Sequence, residues 1–228
     1  MEKRRKSVYV AVPMQIGFVL FSTHFASKAF CNSDSHKEMV INEIVNFLKK
    51  NNIKLSNSRL LKMTNTLYDE CKLNDIDYRL VLAIIKVESN FRHNITSRDG
   101  SKGLMQLKPS LAKFIAKNNG IDYKSSKDLQ EPDKNIRIGT FHISKLIDDF
   151  ENIHQALFAY NVGQKKAKGK IFEEDEPLTP FTKKVMKEYR KNISILPEHL
   201  ATCRIYICFF SLIFKRCCFF KIPIGGKK

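Results

Sequence analysis

The chain is poor in acid: 23 Asp and Glu stand against 40 Lys and Arg in 228 residues, a formal net charge of +17. Such a surface carries an extended positive field, and its expected neighbours are polyanions, whether nucleic acid, anionic lipid or an anionic wall polymer. Strand signals are nearly absent and no internal repeat recurs, which argues against sheet architectures and solenoids. The six cysteines lack paired CxxC spacing: Cys31 and Cys71 are isolated, while Cys203, Cys208, Cys217 and Cys218 crowd the C-terminal stretch, so no zinc motif follows. The histidines form no HExxH, no Ser-His-Asp arrangement stands out, and Gly163 to Lys170 has the wrong spacing for a phosphate loop. No metal and no organic cofactor is implied. The apolar run Ile205 to Phe214 is stopped by Lys215 and Arg216, too short for an ordinary membrane-spanning helix.

What is present begins with a 43% hydrophobic content, enough for one packed domain with appendages at this length. Lys3, Arg4, Arg5 and Lys6 precede an apolar stretch from Val8 to Phe21, and the small residues Ser27 and Ala29 follow two apart. This pattern reads as a secretory signal peptide over 1–29, with an uncleaved anchor as the alternative. Export makes disulfides possible, without fixing a connectivity. Cys71 reads as a small buried hydrophobe.

From His36 to Lys50 apolar residues recur at helical spacing, and Ser56 or Ser58 can cap a second helix bearing Leu60, Leu61, Met63 and Leu67. Asp77 is a fitting N-cap for a helix from Tyr78 to about Ser89, whose run Leu80 to Ile85 implies burial on most sides. Pro109 opens a helix through Lys117, Pro132 opens a longer one through Phe150, and His154 to Asn161 is short and helical. The basic run Gln164 to Lys170 reads as a loop, and Phe181 to Lys191 as a basic helix. The chain is thus expected to be mostly α, with a single compact helical domain. We expect an N-terminal helical extension over 30–67, a principal domain over 68–192, and an apolar, cysteine-rich tail of undefined role over 193–228.

Within this frame Glu88 is the residue that asks for an explanation. It sits at the C-terminal end of the apolar run Val81 to Val87, where lost hydration and the negative end of the helix dipole both favour the protonated carboxyl. A carboxyl kept neutral near pH 7 can give a proton to a leaving group, as cleavage of a glycosidic bond requires. No partner acid sits in an equally apolar setting.

Three ordered blocks then carry a specific likeness. Glu88-Ser89-Asn90-Phe91 with Ser97, then Gly103-Leu104-Met105-Gln106-Leu107 with Pro109, and finally Ala156 to Gly163 containing Tyr160-Asn161, resemble the lytic transglycosylase family with its lysozyme-like SLT domain, related to goose-type lysozyme. The likeness covers about residues 68 to 190. It implies a lysozyme-like helical fold and non-hydrolytic cleavage of the β-1,4 bond between N-acetylmuramic acid and N-acetylglucosamine in peptidoglycan, leaving a 1,6-anhydromuramoyl end. Glu88 matches the family's catalytic glutamate. Ser89, Gly103, Met105, Gln106, Tyr160 and Asn161 match residues expected along the substrate cleft. For Ser89 a hydroxyl bonded to its own helix backbone is an equal reading, and for Met105 ordinary core packing is another.

The chain departs from the family pattern at Pro177-Leu178 and Phe181-Thr182, ahead of Lys183-Lys184-Val185, which puts a secondary cleft contact in doubt. Ile95 and Val162 stand where small residues are common. The resemblance implies peptidoglycan glycan strands as substrate, cell-wall or secretion machinery as partners, no nucleic acid, and an exported location in the periplasm or cell envelope. Membrane association through the N-terminal segment or the C-terminal tail also fits. A muramidase hydrolysing the same bond and a noncatalytic peptidoglycan-binding protein of the same fold are the alternatives.

Overall fold

The computed structural model describes residues 34–169 and 179–198. The expected signal peptide and nearly all of the apolar tail therefore lie outside the described residues. The chain divides into two units, residues 1–39 and 40–228; of the first only 34–39, which are helical, are described. Everything below concerns the second.

The regular secondary structure of the described residues is helical, apart from two isolated bridges in one loop. The first helix of this unit, α1, occupies 40–50, and α2 follows at Asn57–Leu73. Ser56 caps α2, its hydroxyl accepting from the Arg59 amide. Leu60, Met63, Leu67 and Cys71 fall at intervals of three and four, so one stripe of α2 is buried. Cys71 is a free, buried thiol, and burial pushes its pKa well up, as suits a packing residue. α3 spans Tyr78–Ser89, and every residue from Leu80 to Ile85 is buried, which makes it the spine of the domain.

α4 (Pro109–Asn118) and α5 (Pro132–Phe150) each begin with proline in the first turn, where the missing N–H has no helical partner to lose. Between them a short 3-10 turn over Ser126–Gln130 is closed by a capping box of Ser125 and Asp128. α6 (Ile153–Val162) is capped by Asn152, and α7 (Gln164–Lys168) follows directly. The loop expected over Gln164 to Lys170 is thus corrected: its first five residues form a helical turn whose Ala167 is fully buried, a single anchor that lysine-rich composition hides.

α8 (Pro180–Ile195) closes the domain against α3. The contact is specific as well as apolar. Asp77 caps α3, holds Arg79 through two oxygens at 2.8–3.0 Å and accepts from the Tyr189 hydroxyl at 2.9 Å. The Asn192 amide donates to Arg79 O at 2.9 Å, and the Tyr78 hydroxyl donates to Pro197 O at 2.5 Å. α8 therefore pins both the cap and the first turn of the helix whose other end carries Glu88. Among the described residues no helix is long and apolar enough to cross a membrane.

Candidate functional site

The last turn of α3 delivers Glu88 to a cleft of about 460 Å³. The helix stops abruptly because Asn90 and Phe91 both take left-handed backbone angles, φ 49° and 62°. Asparagine tolerates this; phenylalanine does not readily, and is held there by full burial, with its ring edge-on to Phe47 at 5.9 Å and under the Lys86 ammonium at 5.4 Å. The turn aims the chain away and leaves the Glu88 side chain at the wall of the cleft.

Opposite stands a loop folded on itself by the bridges Thr96 to Lys102 and Lys102 to Leu107. Gln106 adopts φ 47° and turns its amide back to donate to Gly103 O at 2.7 Å. One buried side chain holds this loop in place: Asn135 on α5 accepts from the Met105 amide at 2.8 Å and donates to Lys102 O at 3.0 Å and Leu129 O at 2.9 Å. Gly103 has φ +80°, and a Cβ there would lie 2.0 Å from Leu129 O and 2.3 Å from the Asn135 amide nitrogen. Its lack of a side chain is what allows Asn135 in. Met105 is fully buried against Gly139, where a Cβ would meet its sulfur at 2.3 Å.

α6 completes the cleft. The Tyr160 hydroxyl donates to Met105 O at 2.7 Å, so the ring bridges α6 to the loop. It lies between His142, ring centroids 5.4 Å apart, and Phe181, stacked at 6.4 Å with the planes 4° from parallel. The lining thus brings together Glu88, Gln106, Tyr160 and Asn161 from the residues the sequence singles out. Ser89, Gly103 and Met105 are not in the lining. All three are buried, and the Ser89 hydroxyl donates to Ile85 O at 3.0 Å within its own helix.

Lining residues not picked out from sequence include Asp99, Ser101, Lys108 and His142. Asp99 is an exposed carboxylate that accepts from the hydroxyls of Ser97 and Ser101 and pairs with Lys108 at 3.5 Å. Those hydroxyls, the Ser101 amide and the Lys108 charge hold it down at about 2. Burial drives His142 down as well, to about 4, and it is therefore neutral at pH 7. No motif marks either one; only the fold puts them beside Glu88.

Burial pushes the Glu88 carboxyl up to about 7, and the Asp99 charge adds to that rise. No described side chain hydrogen-bonds or ion-pairs with it. Burial, and then the Glu88 charge, keep Tyr160 well above 10, so its phenol remains a proton-bearing donor. The site can thus hold one proton on a half-buried carboxyl at neutral pH, offer amide groups from Gln106 and Asn161, and keep a fixed tyrosine beside the acid. Among the described residues no cluster of His, Cys, Asp and Glu is arranged to hold a metal.

Removing the phenol tests the bridge. Tyr160→Phe leaves Met105 O without its partner and should cost about 1–2 kcal/mol of stability, measured by urea unfolding, because one buried acceptor is orphaned. Cleavage of any substrate in the cleft should fall roughly tenfold, the worth of one net hydrogen bond of about 1.4 kcal/mol.

The comparisons with known proteins point to the same region. The family model for the transglycosylase SLT domain matches residues 68–178. A soluble lytic murein transglycosylase of Salmonella typhimurium is 36% identical over 91 residues, 39% of this chain and 14% of that protein. A transglycosylase of Enterobacteria phage PRD1 is 32% identical over 93 residues, 41% of this chain and 32% of that protein. Among solved structures, an inactive glutamate-to-glutamine mutant of the lytic transglycosylase Slt from Pseudomonas aeruginosa superposes with a TM-score of 0.52 at 26% identity, over 59% of this chain and 25% of that one. The chain spans a third or less of the length of these proteins.

Proposed function

We propose that the SLT domain, which occupies residues 68–178, makes this chain a peptidoglycan lytic transglycosylase. The observation that carries the reading is Glu88: a carboxyl poised near pH 7 in a sugar-sized cleft, with no second carboxyl in a like setting among the described residues. On this reading Glu88 first gives its proton to the glycosidic oxygen as the C1–O bond breaks. The carboxylate so formed then takes the proton of the muramoyl C6 hydroxyl, whose oxygen closes onto C1 of the same sugar. One bond breaks, one forms, Glu88 regains its proton, and no water is consumed. Intramolecular attack needs no enzymic nucleophile and gains from proximity.

Gln106 and Asn161 supply amides suited to the acetamido groups of the substrate, and Tyr160 orients the reacting ring and the acid. Ser89, Gly103 and Met105 act on this reading by shaping the wall, since none of them reaches the cleft lining. Export to the cell envelope, the domain limits of 68–192 and service to wall-opening machinery belong to the same proposal.

The alternative with an observation behind it is hydrolysis, because Asp99 shares the cleft. A carboxylate held at about 2 is a weak general base at neutral pH, which favours the intramolecular route. The products decide. Digested sacculi analysed by mass spectrometry should show anhydromuramoyl ends, one water lighter than reducing ends; reducing ends alone would assign hydrolysis, and intact strands a binding role.

The pH profile follows from the same proton. Glu88 must be protonated in the free enzyme to start the reaction, so kcat/KM should be flat below its pKa and fall tenfold per unit above about 7. A profile still rising at pH 8 would remove Glu88 as the acid.

A further inference from the structure

We propose that the outer face of α8 docks the protein on an anionic phospholipid surface, independently of the cleft and of its chemistry. Lys183, Lys184, Lys187, Arg190 and Lys191 are all exposed. At about 100° per residue they fall within an arc of roughly 120°, opposite the face that buries Thr182, Val185 and Asn192. The sole acid of α8, Glu188, is half-buried at the edge of that arc.

Several cations elsewhere in the domain are compensated. Arg59, Lys62, Lys134, Arg137, Lys145 and Lys168 each sit against a carboxylate, whereas none of the five on α8 has one among the described residues. The five cations fall between positions 183 and 191, and a field left uncompensated along about 12 Å of helix axis is an array that matches a plane of anionic headgroups. Ile195 argues for lipid over a soluble polyanion. It is 52% exposed, at the end of the helix and on the flank of the basic arc, where a bilayer takes up an apolar side chain and nucleic acid or a wall polymer gains nothing from one. The acidic run Glu173-Glu174-Asp175-Glu176 lies outside the described residues and is the rival occupant within the chain.

The test uses the full chain and sedimentation with vesicles of phosphatidylcholine, with or without about one-third phosphatidylglycerol. Binding should require the anionic lipid and weaken steeply as salt is raised. The quadruple variant Lys183→Gln, Lys184→Gln, Lys187→Gln and Lys191→Gln should bind about 600-fold more weakly, at roughly fivefold per cation near a surface. It keeps both termini, so undiminished binding would assign the membrane contact to them and overturn the proposal. Ile195→Ser should weaken vesicle binding severalfold while leaving retention on a polyphosphate matrix unchanged; equal effects on both, or tighter capture by the matrix, would also overturn it. So would a wild-type chain that binds only after the four acids of 173–176 are changed to amides. Thermal unfolding and cleavage of solubilised glycan strands should be unchanged in the quadruple variant. Loss of cleavage by every form would count against the catalytic reading and leave the docking result standing.

Discussion

Glu88→Gln is expected to abolish cleavage and, at alkaline pH, to make the protein more stable. The first effect is the larger. Glutamine keeps the shape and much of the polarity of the side chain but has no proton to give, so both the protonation of the leaving oxygen and the return step are lost; at least a thousandfold fall in kcat is expected. Residual turnover near wild type, measured on purified sacculi, would take Glu88 out of the mechanism. The stability effect comes from the same burial. The folded protein holds Glu88 at about 7, well above its ordinary 4.5. Folding therefore favours the protonated form. Below 4.5 the carboxyl is neutral in both states and costs nothing; as pH rises through 7 the folded state alone is left with a charge in a poorly hydrated place.

At pH 8 that difference reaches about 3 kcal/mol, or roughly 5–10 °C in Tm for a domain of this size. The variant escapes it, so its advantage should be absent at pH 4, grow between about 5 and 7 and level off above. A constant offset at every pH would point to packing and not to ionisation. The two readouts separate the claims: activity tests the role of the proton, and stability against pH tests whether burial raises its affinity. An acid that is conserved in shape only, in a binding protein, would show the second effect without the first.

Helix starts were legible in the sequence because capping is local: Ser56, Asp77, Pro109 and Pro132 act within one turn of themselves, and each stands where its chemistry places it. Glu88 was legible for the same reason, since an acid closing the run Val81 to Val87 is unusual wherever that helix packs. What remained hidden depends on contacts across the chain. Asp99 looks like an ordinary turn residue until the loop folds back beside Glu88, and His142 looks like one polar residue on an apolar helix until α6 lays Tyr160 against it. Gly103 was expected along the substrate cleft; the structure gives it a neighbour 32 positions away, Asn135, whose amide occupies the space a side chain would need. The matching motif located the wall of the cleft, and only tertiary structure separated its lining from its backing.

That backing carries the second large prediction. Asn135→Ala should cost about 3–5 kcal/mol, because it orphans the Met105 amide and the carbonyls of Leu129 and Lys102 in a single step, at roughly 1–3 kcal/mol for each fully buried group. Gly103→Ala should match or exceed it, combining a left-handed φ of +80° with a Cβ placed 2.0 Å from a backbone oxygen. Either loss is a large part of the 5–15 kcal/mol that holds a domain together, so unfolding in urea at low temperature is the first measurement. The positioning claim needs a further readout, in whatever fraction stays folded. Met105 O holds the Tyr160 hydroxyl, and the loop carries Asp99 and Gln106. Once it loosens, water reaches the cleft, the desolvation that lifts Glu88 relaxes, and its pKa should drop toward 4.5. The alkaline limb of kcat/KM would then move to lower pH together with the fall in rate. A folded Asn135→Ala protein with reduced kcat and an unmoved limb would show that Asn135 supports the fold alone, and that the proton on Glu88 owes nothing to the loop facing it.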